Sequence, residues 1–539
     1  MDRSRKTARR TVAFAAAGAT ALALTVAPAA AANAAQGGVS CDTRNNNTIT
    51  KLLDCVSADG VMEHLEAFQE IADANGGNRA ADTPGYEASV DYVVETLEAA
   101  GWDVSIDEFD YAYQPPAELQ QLTPVNATLP AGNFSEGSGS GTVTGQIIPV
   151  DLVLAPPRDP VTSGCEDADF AGLDFSGPTD IALIQRGTCE FGVKARNAQE
   201  AGAEAVIIMN QGNTPERSGV ITNVTLIGEN PTALDIPVIT TSFDGGAALA
   251  VPGATARVVK PEPENHPQEN VIAELPGRND DNVVMAGAHL DSVPEGPGIN
   301  DNGSGSAALI EIAQNLSKLK PQNTVRFAWW GAEEEGLIGS TEYVEGLSQE
   351  ERDRIALYLN FDMVASPNYI YMVYDGDETS FEAPVVVPEG STEIEDLFER
   401  YFTGAGIPYD DAEFSGRSDY EAFINADIPS GGLFTGAEEV KTAEQAEIWG
   451  GTAGEAFDPC YHQACDDIGN LSEEALGVNT DAIALAVLVY SYSTELVNGV
   501  PGRSIPGGLA LPDPAGAEGT FAGGGGGLHH DHDHAAAAD

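Results

Sequence analysis

Beyond about Asn270, short apolar runs alternate with amphipathic segments, and this pattern constrains the chain more than any other feature. Residues 283–288, 324–330, 356–361 and 428–434 read as strands, and 307–319, 336–347 and 473–497 as helices. Strands that are apolar on both faces need a sheet covered by helices on both sides, an α/β domain of the doubly wound type. Ligands of such folds lie beyond the carboxyl ends of the strands.

Those ends carry the polar residues. The first strand runs into His289-Leu290-Asp291-Ser292, and Asp301 follows twelve residues after His289 in a Gly-rich turn before a helix. The next two strands end in Glu333-Glu334 and in Asp362, and Cys460-Tyr461-His462 comes later. Of eight histidines, four lie in the C-terminal tail, His64 in an N-terminal helical region and His266 in a polar boundary segment. Only His289 and His462 remain for the α/β region. Gathered carboxylates are costly unless compensated, and a pair of divalent cations would neutralise them. Mixed imidazole and carboxylate donors favour zinc over calcium or magnesium. One carboxylate bridging two metals and another, free of metal, acting as base would make a hydrolytic centre. Adjacent Glu333 and Glu334 point differently from a strand end and suit separate tasks.

Composition removes other classes. With 84 Asp plus Glu against 25 Lys plus Arg, a net charge of −59, the surface repels phosphate and excludes a nucleic-acid binder. At 42% hydrophobic and 20% charged residues the chain is nevertheless no disordered acidic polymer. A basic start, an Ala-rich apolar stretch over 11–32 and Ala32-Asn33-Ala34 form the three-part pattern of a secretory signal peptide, residues 1–34. No other apolar run approaches the ~20 residues that span a bilayer, so a secreted, extracellular product without membrane attachment is expected. Cys41, Cys55, Cys165, Cys189, Cys460 and Cys465 suggest three local disulfides, 41–55, 165–189 and 460–465, although fifteen pairings are formally open. Zinc–thiolate clusters are the rival, but no C-x-x-C is present. Residues 501–539 turn Gly-, Pro- and Ala-rich and end in a His/Asp run, a low-complexity tail expected to be disordered.

Toward the N-terminus, residues 60–100 read as helical, with Val90, Val93, Val94 and Leu97 on one face. A Pro-, Gly- and Ser-rich stretch over 115–141 reads as a linker. In the block 142–258, the word Ala182-Leu183-Ile184-Gln185-Arg186-Gly187-Thr188-Cys189-Glu190-Phe191, the helix with Lys194, Ala195, Asn197 and Ala198, and Ile236-Pro237-Val238-Ile239 resemble the protease-associated (PA) domain. The resemblance implies a domain without chemistry of its own, inserted into a peptidase.

Five further words in order, A-H-L-D-S, I-N-D-N-G-S-G, R-F-A-W-W-G-A-E-E-x-G-L-I-G-S, L-N-F-D-M-V-A-S-P-N and C-Y-H-Q-A-C-D, resemble the secreted di-zinc aminopeptidases related to aminopeptidase S and aminopeptidase Y. This resemblance implies an α/β fold, a mixed β-sheet of zinc-exopeptidase type sandwiched by helices, with a smaller α+β insert. It divides the chain into a signal peptide (1–34), an N-terminal part of the peptidase domain (35–141), the PA insert (142–258), the catalytic domain (259–500) and the tail (501–539). It also implies two Zn2+ per chain: His289 and Asp362 hold one, Glu334 and His462 the other, and Asp301 bridges them. By the same resemblance Glu333 is the general base, Asp291 orients His289, and Tyr461 steadies the oxyanion. A cis peptide is expected at Asp301-Asn302. Arg417 and Phe434 belong to the substrate site, and Asp411 (with Glu413 as an alternative) stands near where relatives hold the substrate amine. Some relatives bind Ca2+ near the last helix. Asp481 fits that position, but Gly477 replaces a second acidic ligand, which leaves calcium open. The expected substrates are peptides with a free N-terminus, large apolar residues such as Leu first, and the expected state is a monomer. The alternatives are a carboxypeptidase or dipeptidase on the same core, and a non-catalytic PA-domain binding protein. The intact Glu333 and five-ligand set argue against the last. A serine hydrolase lacks its G-x-S-x-G elbow.

Overall fold

Capping sets the first helices. Ser57 accepts the N–H of Gly60 and opens α1 (Ala58–Ala74), and Thr83 accepts that of Tyr86 and opens α2 (Pro84–Ala100). Pro84 falls in the first turn, where its missing donor is no loss, and Gly101, at φ 96°, closes α2 in the left-handed conformation. The continuous helical stretch expected over 60–100 is thus two helices. They part where Gly76 and Gly77 both take positive φ.

The computed structural model describes residues 41–521, apart from 216, 222–223 and 228–233. The expected signal peptide and the His/Asp end of the tail lie outside the described residues. Within them the chain forms two compact units, 41–110 with 267–521, and 111–266.

The first unit is built on an eight-stranded mixed sheet. Its strands are β1 (Asp103–Tyr113), β2 (Glu264–Leu275), β3 (Asn279–His289), β4 (Asn323–Trp330), β5 (Ile355–Phe361), β6 (Met372–Tyr374), β7 (Asp410–Ala412) and β8 (Ser430–Phe434), in the order β1-β2-β4-β3-β5-β8-β6-β7. The central strands β4, β3, β5 and β8 run parallel, while β2 and β6 are antiparallel to their neighbours β4 and β8. Along β3, Val284, Ala286 and Ala288 face a core shared with α1, α2, α3 (Gly305–Leu316), α4 (Ser391–Ala405) and α5 (Glu473–Tyr492). Met285 faces the other core, with Trp330, Tyr358 and Phe423, where the Tyr358 and Phe423 rings stack at 3.7 Å. Helical cover on both faces is what permits such continuous apolar strands.

Two expectations change here. By length and composition α5 is apolar enough to cross a bilayer, a run that sequence inspection passes over, yet 78% of its apolar window is buried inside the unit. It is a core helix. The tail, expected to be loose from 501, stays attached as far as Phe521. The backbone N–H groups of Thr520 and Phe521 donate to Asp410 Oδ2 at 2.8 Å, and the Phe521 ring meets Phe381 and Phe457. One buried carboxylate does here what apolar patterning does elsewhere.

The second unit has a seven-stranded sheet, ordered 127–129, 118–123, 255–260, 141–149, 180–185, 205–209 and 238–241. The three strands 180–185, 205–209 and 238–241 are buried throughout and parallel, with the helix Phe191–Ala201 between the first two, as the sequence suggests. The expected linker is different: Glu118–Thr123 and Ala127–Leu129 are strands of this sheet. Glu118–Thr123 pairs with Thr255–Lys260 and buries Leu119 and Gln121 on one face. Its period of two is carried by a glutamine, which hides it from a search for apolar alternation. The three disulfides are the local ones, Cys41–Cys55, Cys165–Cys189 and Cys460–Cys465.

Candidate metal centre

The carboxyl ends of β3, β4 and β5 deliver His289, Glu333 with Glu334, and Asp362 to one place. Asp301 arrives from the segment Ile299–Ser304, which leads into α3, and its peptide with Asn302 is cis. His462 comes from the loop closed by Cys460–Cys465, with its ring stacked on Tyr461 at 3.8 Å between centroids.

Three donor triads result, His289–Asp301–Asp362, Asp301–Glu334–His462 and His289–Glu333–Glu334, and the first two share Asp301. His289 Nε2 lies 3.3 Å from Asp301 Oδ1 and 3.4 Å from Asp362 Oδ1. His462 Nε2 lies 3.3 Å from Asp301 Oδ2 and 3.0 Å from Glu334 Oε2. A tetrahedral zinc with bonds of 2.0–2.1 Å has ligand–ligand edges of about 3.3 Å. Two further atoms agree. Glu334 Oε1 and Asp362 Oδ1 are sealed from solvent and have no hydrogen-bond donor, an expensive state for carboxylate oxygens unless a cation faces them. The residues present therefore fit zinc. Glu333 stands slightly further out, its Oε2 3.8 Å from His289 Nε2.

Electrostatics follow from this crowding. Burial opposes charge on His289, but Glu333 and Asp362 outweigh it and hold the imidazole well above its usual range. His462 is likewise raised to about 11, against its burial, by Asp301 and Glu334. Burial pushes Asp301 up, yet its hydrogen bonds to His289 and His462 bring it below the ordinary carboxylate range. Glu334 rises to about 7, and Glu333 is likewise held well above its usual range, both chiefly by burial.

A supporting layer fixes these groups. Asp291 is fully buried and accepts the backbone N–H groups of Glu333 and Glu334, each at 3.2 Å. His289 Nδ1 hydrogen-bonds the Asp291 carbonyl oxygen at 3.1 Å, while the side-chain Oδ1 is 3.6 Å away. Asp291 thus orients the imidazole mainly through its backbone. Ser418 donates to Asp362 Oδ2 at 2.6 Å. Three members of this layer carry no sign in the sequence pattern that marks the ligands. Asp466 accepts the N–H groups of Asn300 (2.9 Å) and Asp301 (3.0 Å). Asp458 accepts from Asn300 Nδ2 at 2.7 Å. Arg79, wholly buried, donates to the carbonyls of Leu290, Pro297 and Gly298 and so clamps the loop between His289 and Asp301. Asp466 adjoins Cys465 at the end of the word C-Y-H-Q-A-C-D and could have been found there. Arg79 lies more than two hundred residues away in sequence and carries no local signal.

The expected substrate residues divide. Arg417 donates to Glu438 Oε1 at 2.9 Å and to Tyr461 Oη at 3.2 Å, which places it beside His462. Phe434, ending β8, is half-buried against the second core. Asp411 is not brought to this group. It lies on the edge strand β7, hydrogen-bonded by Ser380 and clustered with Glu395 and Glu399. Asp411 stands six residues before Arg417, where close relatives carry a glutamate, but between the two the strand ends and the chain turns at Gly416 (φ 79°), so that spacing fixes no common direction. Among the described residues Asp481 joins no group of three metal donors.

Known proteins extend the picture. Residues 270–487 match the family model of Peptidase family M28, and residues 143–249 match that of the PA domain. The chain is 49% identical over 455 residues to an aminopeptidase of Pseudomonas aeruginosa, covering 82% of this chain and 83% of that protein. It is 46% identical to the probable lipoprotein aminopeptidase LpqL of Mycobacterium tuberculosis (83% and 87% covered) and 38% identical to leucine aminopeptidase 2 of Trichophyton rubrum (81% and 84%). Among solved structures it resembles BSAP, a zinc aminopeptidase from Bacillus subtilis, with a TM-score of 0.59 and 26% identity over 80% of this chain and 94% of that one. With its donor set and these likenesses, the chain belongs to peptidase family M28, as a zinc metallo-aminopeptidase that carries a PA domain.

Proposed function

We propose that this is an exported aminopeptidase with two zinc ions per chain, which removes large apolar residues such as Leu from the free N-termini of peptides. The observation that carries the two-ion reading is the pair of imidazole–carboxylate triads sharing Asp301. His289 and Asp362 would hold one ion and Glu334 and His462 the other, with Asp301, which belongs to both triads, available to each. When bound, zinc supplies the Lewis acidity that makes water a nucleophile at neutral pH.

The chain's own groups do the rest. Glu333, buried and close to His289, takes the proton of the attacking water and passes it to the departing amine. The Tyr461 hydroxyl, held by Arg417, donates to the oxygen on which negative charge develops. Phe434 lines the pocket for the first side chain. An apolar preference is supported by that ring and by the name of the Trichophyton relative. Export is supported by three closed disulfides, which persist in oxidising surroundings. The protein is expected to act as a monomer.

Glu333→Gln keeps the size of the side chain and removes the base. Leucyl-anilide turnover should fall by roughly 10²–10⁴-fold, with zinc content unchanged by elemental analysis. Undiminished turnover would refute the base assignment, and equal cleavage of an N-acetylated leucyl substrate would refute the need for a free amine.

A further inference from the structure

Arg417 sits in the loop between β7 and the short helix Tyr420–Asn425, and the backbone on either side of it is tied down. The Gly416 N–H donates to Tyr420 Oη at 2.9 Å, and Ser418 donates to Asp362 Oδ2 at 2.6 Å. The arginine side chain is held otherwise. Among the described residues its guanidinium hydrogen-bonds two groups only, Glu438 Oε1 through Nη1 at 2.9 Å and Tyr461 Oη through Nη2 at 3.2 Å. Tyr461 Oη in turn has no other hydrogen-bond partner among them.

Glu438 is anchored from the opposite side. It follows β8, and its two neighbours are bonded to the segment that leads into Cys460. The Asp458 N–H donates to the Ala437 carbonyl at 2.7 Å and the Phe457 N–H to the Glu439 carbonyl at 2.9 Å. Carboxylate, guanidinium and phenol thus close a circuit through the backbone between Phe457 and Tyr461. As a source of stability the ion pair counts for little, because the Arg417 and Glu438 side chains are 34% and 42% exposed and water screens them. Its geometry matters more. The guanidinium is planar, so fixing Nη1 also fixes the direction of Nη2. Arginine has donors and no acceptor, so Tyr461 Oη must accept this bond, and the phenol proton is left to point elsewhere.

We propose that Glu438 is a positioning residue for peptide hydrolysis: it pins Arg417, which in turn aims the Tyr461 hydroxyl proton at the oxygen where negative charge develops. This rests on the oxyanion role given to Tyr461 above. Glu438 acts only through Arg417 and belongs to none of the donor triads. Without its carboxylate Arg417 keeps the phenol as sole partner, and a long side chain with one anchor holds no single direction.

Steady-state kinetics on a leucyl anilide test this with the zinc-loaded full chain as wild type, Glu438→Ala, Glu438→Gln, Tyr461→Phe and the double variant Glu438→Ala with Tyr461→Phe. Zinc content and thermal midpoint are measured for each. Losing an oxyanion donor outright costs roughly 10²–10³ in kcat, and a donor kept but misdirected should cost less, about tenfold. Glu438→Ala should therefore lower kcat about tenfold at unchanged KM. Glu438→Gln keeps an oxygen to accept from Nη1 and should recover most of the rate. Added to Tyr461→Phe, Glu438→Ala should change kcat by no more than about twofold. Wild-type kcat in Glu438→Ala, a loss confined to KM, or an undiminished loss in the Tyr461→Phe background would each overturn the positioning role while leaving that of Tyr461 standing. Wild-type kcat in Tyr461→Phe would remove the oxyanion reading itself, and the positioning role with it. Should Tyr461→Phe not fold, a Glu438→Gln enzyme as slow as Glu438→Ala would overturn the proposal.

Discussion

Asp466 shows how far the centre depends on residues that touch no metal ligand's functional atom. Its two oxygens accept the adjacent N–H groups of Asn300 and Asp301 and so set the direction from which the shared carboxylate approaches. Asp466→Ala removes both acceptors without changing a donor of the triads. Zinc affinity, read by competition with a chelator, should drop by roughly 10–100-fold, and an unchanged affinity would mean that Asp301 is positioned by other contacts. Most residues of the centre are legible in the sequence, because His289, Asp301, Glu333, Glu334 and Asp362 follow an apolar run or sit in a Gly-rich turn, while His462 stands out as the other histidine left to the α/β region. Asp411 is misplaced by that pattern and Arg79 is invisible to it for one reason: their neighbours are set by tertiary packing, on which sequence spacing is silent.

The elements are legible in proportion to their apolar content. β3, β4 and β5 announce themselves by runs such as Val283-Val284-Met285-Ala286. The three-residue strands β6 and β7 and the glutamine-bearing strand Glu118–Thr123 do not. Within α1, His64 is an exception of another kind, a polar residue that the core accepts neutral. It is 6% exposed, its Nδ1 meets Tyr92 Oη at 2.6 Å, and burial lowers its pKa from 6.5 to about 4. The unfolded chain protonates near 6.5 while the folded one stays neutral to about 4, so the stabilisation is present above pH 6.5 and is lost as pH falls toward 4. The difference amounts to about 3 kcal/mol. The gap in thermal midpoint between wild type and His64→Gln should therefore narrow from pH 7 to 4.5. A constant gap would show that His64 carries no linked proton.

At the scale of the whole molecule, the charge of −59 is a background on which a few placed carboxylates act. Most of the acids repel one another across a surface with few cations, and that repulsion is what dissolved salt screens. The thermal midpoint should rise between about 0.1 and 1 M NaCl; a midpoint that falls would assign the acidity another role. The short Cys460–Cys465 bridge adds a final constraint. Tyr461 and His462 lie inside the loop it closes, whose two cysteines are only five positions apart. A thiol reductant thus attacks the proposed centre twice, as a competing zinc ligand and as the agent that opens the loop presenting an imidazole. Oxidation of this cysteine pair is therefore expected to favour metal retention, and zinc content should fall in a preparation kept in reducing buffer.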